Sequence, residues 1–235
     1  MIVTCVRDTI QNMISIQNTD TERLLSELEK LPYFTFEALS RLSEKPYKQC
    51  WQMVNRWRKK GYLTKLKKGI YTTKSYYGRH ISDMDYIPSI ASILNPISYL
   101  SLEYILQKHN ILTDATYTIT SVTTKPTTKY LNDVGGFYYK SIKTSLYAGF
   151  ICKNYYGITV NEATLEKALF DYMYFRPIYN RGRVIKTDVA EELRLNLEVF
   201  TEEQITSFSN WCEVSGLRKM RLVNQNFKEN IWKKI

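Results

Sequence analysis

Pro46–Thr73 reads PYKQCWQMVNRWRKKGYLTKLKKGIYTT, and its apolar spacing changes character across a single glycine. Up to Lys60, Cys50, Val54 and Trp57 recur at i, i+4 and i+7, with Met53 on their flank. That spacing predicts one buried stripe on a helix from about Pro46 to Lys60. Pro46 suits a first helical turn and Gly61 a C-terminal stop. Beyond Gly61, Tyr62 to Leu66 alternates as a strand does, Lys67-Lys68-Gly69 makes a tight turn, and Ile70 to Thr73 returns. Opposite the apolar stripe of the helix lie Lys48, Gln52, Asn55 and Lys59, with Gln49 and Arg56 at the edge. All six carry hydrogen-bond donors.

Two further helices precede this one. Thr21 to Lys30 places Leu24, Leu25 and Leu28 on one side, with Asp20 or Thr21 as cap, and Pro32 ends it. Thr35 is the next cap, followed by Phe36, Leu39 and Leu42 on one face. Three short helices followed by a hairpin is the order of a winged helix-turn-helix.

The charge falls on the same stretch. The chain has 235 residues and a formal net charge of +10. Lys45 to Arg79 holds eleven Lys and Arg and no Asp or Glu, so the rest of the chain is close to neutral. A long stretch of one sign repels itself unless a polyanion binds there. Aromatic residues run through it, so it can build a core and is not a disordered tail. The pattern predicts duplex DNA as partner. Tyr47, Lys48, Gln49 and Gln52, on the first turns of the third helix, would face base edges, with Asn55 beyond them. Lys59 and Lys60, with Lys67 and Lys68 at the wing tip, would hold phosphates, and Lys45, Arg56 and Lys65 would meet the DNA as well.

From about Asp83 acids return and the pattern mixes. The expected fold class is α+β: a winged helix-turn-helix over residues 1–80, then a mixed α/β domain with a helical C-terminus over 81–235. Ile87 to Leu94 is a short helix or an apolar segment, and expected helices are Leu100 to Lys108 (capped by Ser98 or Ser101), Leu165 to Phe175, Lys186 to Leu197, Glu202 to Val214 and Leu217 to Trp232. Thr201 opens a capping-box pattern. Expected strands are Tyr117 to Thr124, Phe137 to Ile142 after a Gly135-Gly136 turn, Tyr147 to Lys153 and Gly157 to Val160, the last two joined at Asn154-Tyr155-Tyr156.

Nothing approaches a membrane span, and Met1 to Ile16 is interrupted by Arg7, Asp8 and Gln11, unlike a secretory signal. The cytoplasm is the expected compartment and no membrane partner is expected. Cys5, Cys50, Cys152 and Cys212 are too scattered for a metal site and read as reduced thiols. No metal or cofactor is expected. No nucleophile turn or phosphate loop is present, and His80 would face phosphate or solvent. Glu162, Glu166 and Asp171, with Lys167 beside them, are the nearest thing to a nuclease's carboxylate cluster. Their ordinary roles are helix capping and surface pairing, so no enzyme is expected.

Three stretches together resemble the AbiEi-type antitoxins of bacterial type IV (abortive infection) toxin–antitoxin systems. They are Val54 to Leu63 with the Lys68-Gly69-Ile70-Tyr71 wing, Tyr99-Leu100-Ser101-Leu102-Glu103 leading to the strand Ile119 to Thr124, and Ala163-Thr164-Leu165-Glu166-Lys167-Ala168-Leu169-Phe170-Asp171. The resemblance implies an N-terminal domain on double-stranded operator DNA that represses its own operon. It implies a C-terminal domain that counters a nucleotidyltransferase-like toxin without necessarily touching it. The motif residues it marks are Ser101, Thr123, Thr124, Thr164, Glu166, Lys167 and Asp171. A stand-alone winged-helix regulator with a ligand-binding or dimerisation domain is the alternative, and a DNA-targeted nuclease a more distant one.

Overall fold

A computed structural model describes residues 21–113, 118–177 and 187–234. Cys5, Asp20, Tyr117 and Lys186, and the proposed reading of Met1 to Ile16, lie outside them. The fold is α+β, with two sheets and a helical C-terminal part. No helix among the described residues is long and apolar enough to cross a membrane. The chain divides into two compact units. One takes in the chain up to Asp83 with Asn132–Val134, the other Met84–Leu131 and Gly135–Ile235.

In the first unit residues 21–28 form α1, and the order continues β1 (Phe34–Thr35), α2 (Phe36–Ser43), α3 (Tyr47–Lys59), β2 (Leu63–Lys67), β3 (Ile70–Thr73) and α4 (Lys74–His80). Thr35 caps α2 by accepting from the Ala38 N–H at 3.1 Å. Phe36 and Leu39 are buried on α2. Leu42, expected beside them, is exposed, because α2 is short and its last turn runs past the core. Cys50, Met53, Val54 and Trp57 form the inner face of α3 and meet Leu28, Phe34, Leu63 and Tyr71 in one core.

Gly61 ends α3 at φ +75°, where an L side chain would be strained. Its N–H reaches the Arg58 carbonyl at 3.0 Å and that of Tyr62 reaches Trp57 at 2.9 Å, a Schellman stop. The β2–β3 hairpin turns at Lys68-Gly69, with Gly69 at φ +77°. The register slips between Lys65 and Lys67, a bulge that sends Leu66 into the core. Within this unit the sequence pattern misses two elements. A two-residue strand is too short for periodicity to register, yet β1 pairs with β3 through Phe34 and Tyr71. The basic segment after Thr73 is a helix, α4, capped by the Thr73 hydroxyl.

The second unit contains α5 (Tyr86–Leu94), β4 (Ser98–Leu100), α6 (Glu103–Lys108), β5 (Thr118–Thr123), β6 (Thr128–Asn132), β7 (Gly135–Ser141), β8 (Phe150–Tyr155), β9 (Ile158–Ala163), α7 (Leu165–Phe175), α8 (Val189–Glu192), α9 (Glu202–Val214) and α10 (Arg218–Asn230). The strand order is β6-β7-β5-β4-β9-β8. β5 runs parallel to β7 and β4 to β9, while β4–β5 and β8–β9 are antiparallel.

Register shows how the sheet is covered. Tyr99 pairs with Val122, and Tyr139 with the neighbouring Ser121, so the two tyrosines point to opposite faces. The Tyr99 hydroxyl reaches Asp171 of α7, and that of Tyr139 the Ala91 carbonyl of α5. Helices α5 and α7 therefore cover opposite faces.

Several boundaries depart from the sequence pattern. Leu100 lies in β4, not in a helix, because that strand sits between β5 and β9 and is fully buried. Neither Ser98 nor Ser101 caps α6; the preceding residue is Leu102 at φ +60°. Gly135-Gly136 opens β7, and the turn is Asp133-Val134, where the Val134 N–H donates to the Asn132 side chain. The β8–β9 turn is Tyr156-Gly157, at φ +55° and +74°, the pair of left-handed residues a type I′ hairpin needs. Among the described residues of the helix expected up to Leu197, only Val189–Glu192 is helical. The α7 and α9 limits match their sequence patterns, and the Thr201–Gln204 capping box is present.

Candidate functional site

The polar residues singled out on α3 and the hairpin lie at or near the surface of the first unit. Tyr47, Lys48, Gln49, Gln52, Arg56, Lys59, Lys60 and Lys68 are exposed, and Lys45, Asn55, Lys65 and Lys67 are partly covered. Among the described residues no salt bridge engages Lys48, Lys59, Lys60 or Lys68. The helix and the hairpin are fastened together through α2, whose first N–H, from Phe36, donates to the Gly69 carbonyl at 2.8 Å. The hairpin turn is thereby fixed to the same element that packs on α3. Chemically the polar residues offer ammonium, guanidinium and amide donors with no acidic side chain between Lys45 and Arg79.

Arg79, which ends that stretch, and His80 just beyond it have partners within the unit. Arg79 donates to the Ser75 hydroxyl and to the Glu29 carbonyl, tying α4 to the end of α1. His80 is partly exposed. Its ring stacks on Tyr76 at 4.3 Å and its Nδ1 lies 2.6 Å from an Asp83 oxygen. Trp51, one of the aromatic residues of that stretch expected to supply a core, is instead 44% exposed, one helical turn from Tyr47. Its place on the flank of α3 was computable from the helical period.

In the second unit the motif residues fall into two groups. Lys167 and Asp171 are wholly buried on α7 and bonded to each other. Asp171 also accepts from the Tyr99 hydroxyl at 2.9 Å and the Ser101 hydroxyl at 2.8 Å. The Lys167 ammonium lies over the rings of Phe170 (4.8 Å), Trp211 (5.0 Å) and Tyr99 (5.4 Å). Burial pushes the lysine down and the aspartate up from their ordinary values. The expected surface pairing is therefore wrong for these two. Thr123 is also buried, accepting from Asn95 and donating to the Ile97 carbonyl, while Thr124 is half-buried.

Thr164 and Glu166 are half-buried and line a cleft of about 400 Å³ with His109, Lys153, Glu162 and Ser207. Thr164 does not cap α7 with its side chain. Its hydroxyl donates to Glu166 at 2.6 Å instead. Glu162 is buried on β9, held by Lys153 at 2.6 Å, Lys108 at 3.0 Å and the Tyr155 hydroxyl at 3.3 Å. Burial pushes its carboxyl up, but the lysine hydrogen bonds outweigh that and hold it below the usual range. His109 is held down by burial and by Lys108 and Lys153. Glu162, Glu166 and Asp171 thus have separate partners and do not form one carboxylate cluster, and no metal-holding group of His, Cys, Asp and Glu exists among the described residues.

Neither a protein-family model nor a curated protein sequence matches the chain.

Proposed function

We propose that the first unit is a winged helix-turn-helix that binds double-stranded operator DNA, and that the chain is a type IV antitoxin. In this role it represses its own operon and counters a nucleotidyltransferase-like toxin encoded beside it. The observation that carries the DNA-binding part is the one-signed outer face of α3 and the hairpin tip. A polyanion relieves the mutual repulsion of those cations and releases its own counterions in doing so. The element order, with α3 as recognition helix and β2–β3 as wing, supports the same assignment.

The antitoxin part rests on the resemblance carried by Tyr99–Glu103 and Ala163–Asp171. In this view Lys167 and Asp171 serve as an internal brace, and Thr164 and Glu166 are the motif members that a partner or ligand could reach. No catalytic role is assigned to Glu162, Glu166 or Asp171.

The test has two arms. Full-length protein is titrated onto the DNA upstream of its own gene in a mobility-shift assay, and co-expressed with the neighbouring nucleotidyltransferase-like gene product in a growth assay. Retarded upstream DNA and restored growth are the expected results. Binding without rescue would leave a plain transcriptional regulator. Rescue by a chain that binds no DNA would overturn the repressor role.

A further inference from the structure

Tyr47 and Trp51 stand one helical turn apart on the flank of α3, 69% and 44% exposed. Both rings meet Phe36 edge-on, at 4.9 Å and 64° for Tyr47 and at 5.9 Å and 68° for Trp51. Phe36 is itself buried, and its N–H is held by Gly69 of the hairpin turn. The exposed rings therefore have a firm backing and lose little freedom when something covers them.

What covers them must also accept their neighbours. Lys48 and Gln52 follow Tyr47 and Trp51 by one residue each, about 100° further round the helix, and are exposed. With no acidic residue from Lys45 to Arg79, an ordinary protein surface would bring unpaired cations into the contact. A polyanion with apolar spots satisfies both demands. In the major groove of DNA the apolar spot on the base edges is the 5-methyl group of thymine.

We propose that Tyr47 and Trp51 read thymine methyl groups, so that sequence preference is set partly by apolar contact beside the hydrogen-bonding edge of Gln52. This rests on α3 being the helix that enters the major groove. The preferred site then carries thymine where the first two turns of α3 approach the bases.

The experiment uses full-length protein and duplexes it selects from a randomised pool. Each thymine in a selected duplex is replaced singly by deoxyuridine, which removes the methyl and keeps every hydrogen-bonding group. The expected result is a loss of about fourfold in affinity per contacted methyl, at one or more positions. Trp51→Ala or Tyr47→Ala should bind the thymine duplex more weakly and lose the difference, with salt dependence unchanged, and Trp51→Phe should retain part of it.

Wild-type protein that binds all deoxyuridine duplexes as it binds thymine duplexes, with ordinary salt dependence, would overturn the methyl contact and leave DNA binding standing. Discrimination that persists undiminished at every position in the double variant Tyr47→Ala with Trp51→Ala would assign the contact elsewhere and also overturn it. Failure to select any duplex, with no salt-dependent binding, would remove both. The comparison on wild-type protein stands even if an alanine variant fails to fold.

Discussion

The charged residues of the second unit divide by how their burial is compensated. Asp171 and Lys167 are both fully enclosed, and each depends on the other for a counter-charge. Asp171→Ala would leave an ammonium buried among aromatic rings and strip the Tyr99 and Ser101 hydroxyls of their acceptor. The expected loss is about 3–5 kcal/mol, measured by urea denaturation. The double change Lys167→Met with Asp171→Leu should be less destabilising than Asp171→Ala alone, since it leaves no charge behind. The pair was legible in principle. Leu165–Phe175 is apolar on most sides, such a helix is buried, and charges at i and i+4 within it must pair. Glu162 behaves differently, because its lysine partners hold its carboxyl below the ordinary range. A group with a depressed folded pKa contributes its full stability above the unfolded value, about 4.3, and loses it as pH falls through the folded one. Stability of the wild type should therefore fall more steeply below about pH 5 than that of Glu162→Gln, followed by denaturant midpoints across pH.

At the scale of elements, two glycines with similar backbone angles should respond very differently to a methyl group. Gly157 sits at φ +74° in the β8–β9 turn with no atom within 4 Å of where a Cβ would stand. Gly157→Ala should cost only the left-handed strain, about 1–2 kcal/mol. Gly149, at φ +78°, is the residue before β8, and its Cβ would lie 2.8 Å from Trp211 and 2.9 Å from Lys167. Gly149→Ala adds a clash with the aromatic cage to the same strain, so its melting temperature should fall well below that of Gly157→Ala. Equal shifts in calorimetry would mean that the cage yields freely. The same contrast explains which elements the sequence revealed. Helices α3, α7 and α9 carry their own periodicity and caps, so local residues mark them. Strands β1, β4 and β6 are too short or too mixed for an alternating pattern, and exist because the sheet offers them partners. Leu100 became strand for that reason, and Ser101 was freed from capping to bond Asp171.

Over the whole molecule the charge is laid out unevenly, and the unevenness gives a quantitative expectation. One stretch of 35 residues carries eleven cations, and the remainder is nearly balanced. The distribution was fully legible in the sequence because it needs only counting. What the sequence left out was which cations are engaged. Arg79, though exposed, is engaged by the Glu29 carbonyl, whereas no salt bridge among the described residues holds Lys60 at the end of α3 or Lys68 at the hairpin tip. If the outer face binds duplex phosphates, each lysine in contact displaces about 0.9 counterion. Lys60→Ala with Lys68→Ala should then lower the steepness of log affinity against log salt by about 2, on any duplex sequence. Changing a lysine of the second unit, such as Lys228 on α10, should leave the slope where it is. Gln52→Ala should do the converse, weakening discrimination between selected and random duplexes while preserving the slope. Fluorescence-anisotropy titrations over a range of potassium chloride concentrations separate the three cases. An unchanged slope in the double lysine variant would mean that the helix end and the hairpin tip do not share one phosphate path, and the proposed winged-helix geometry would fail with it.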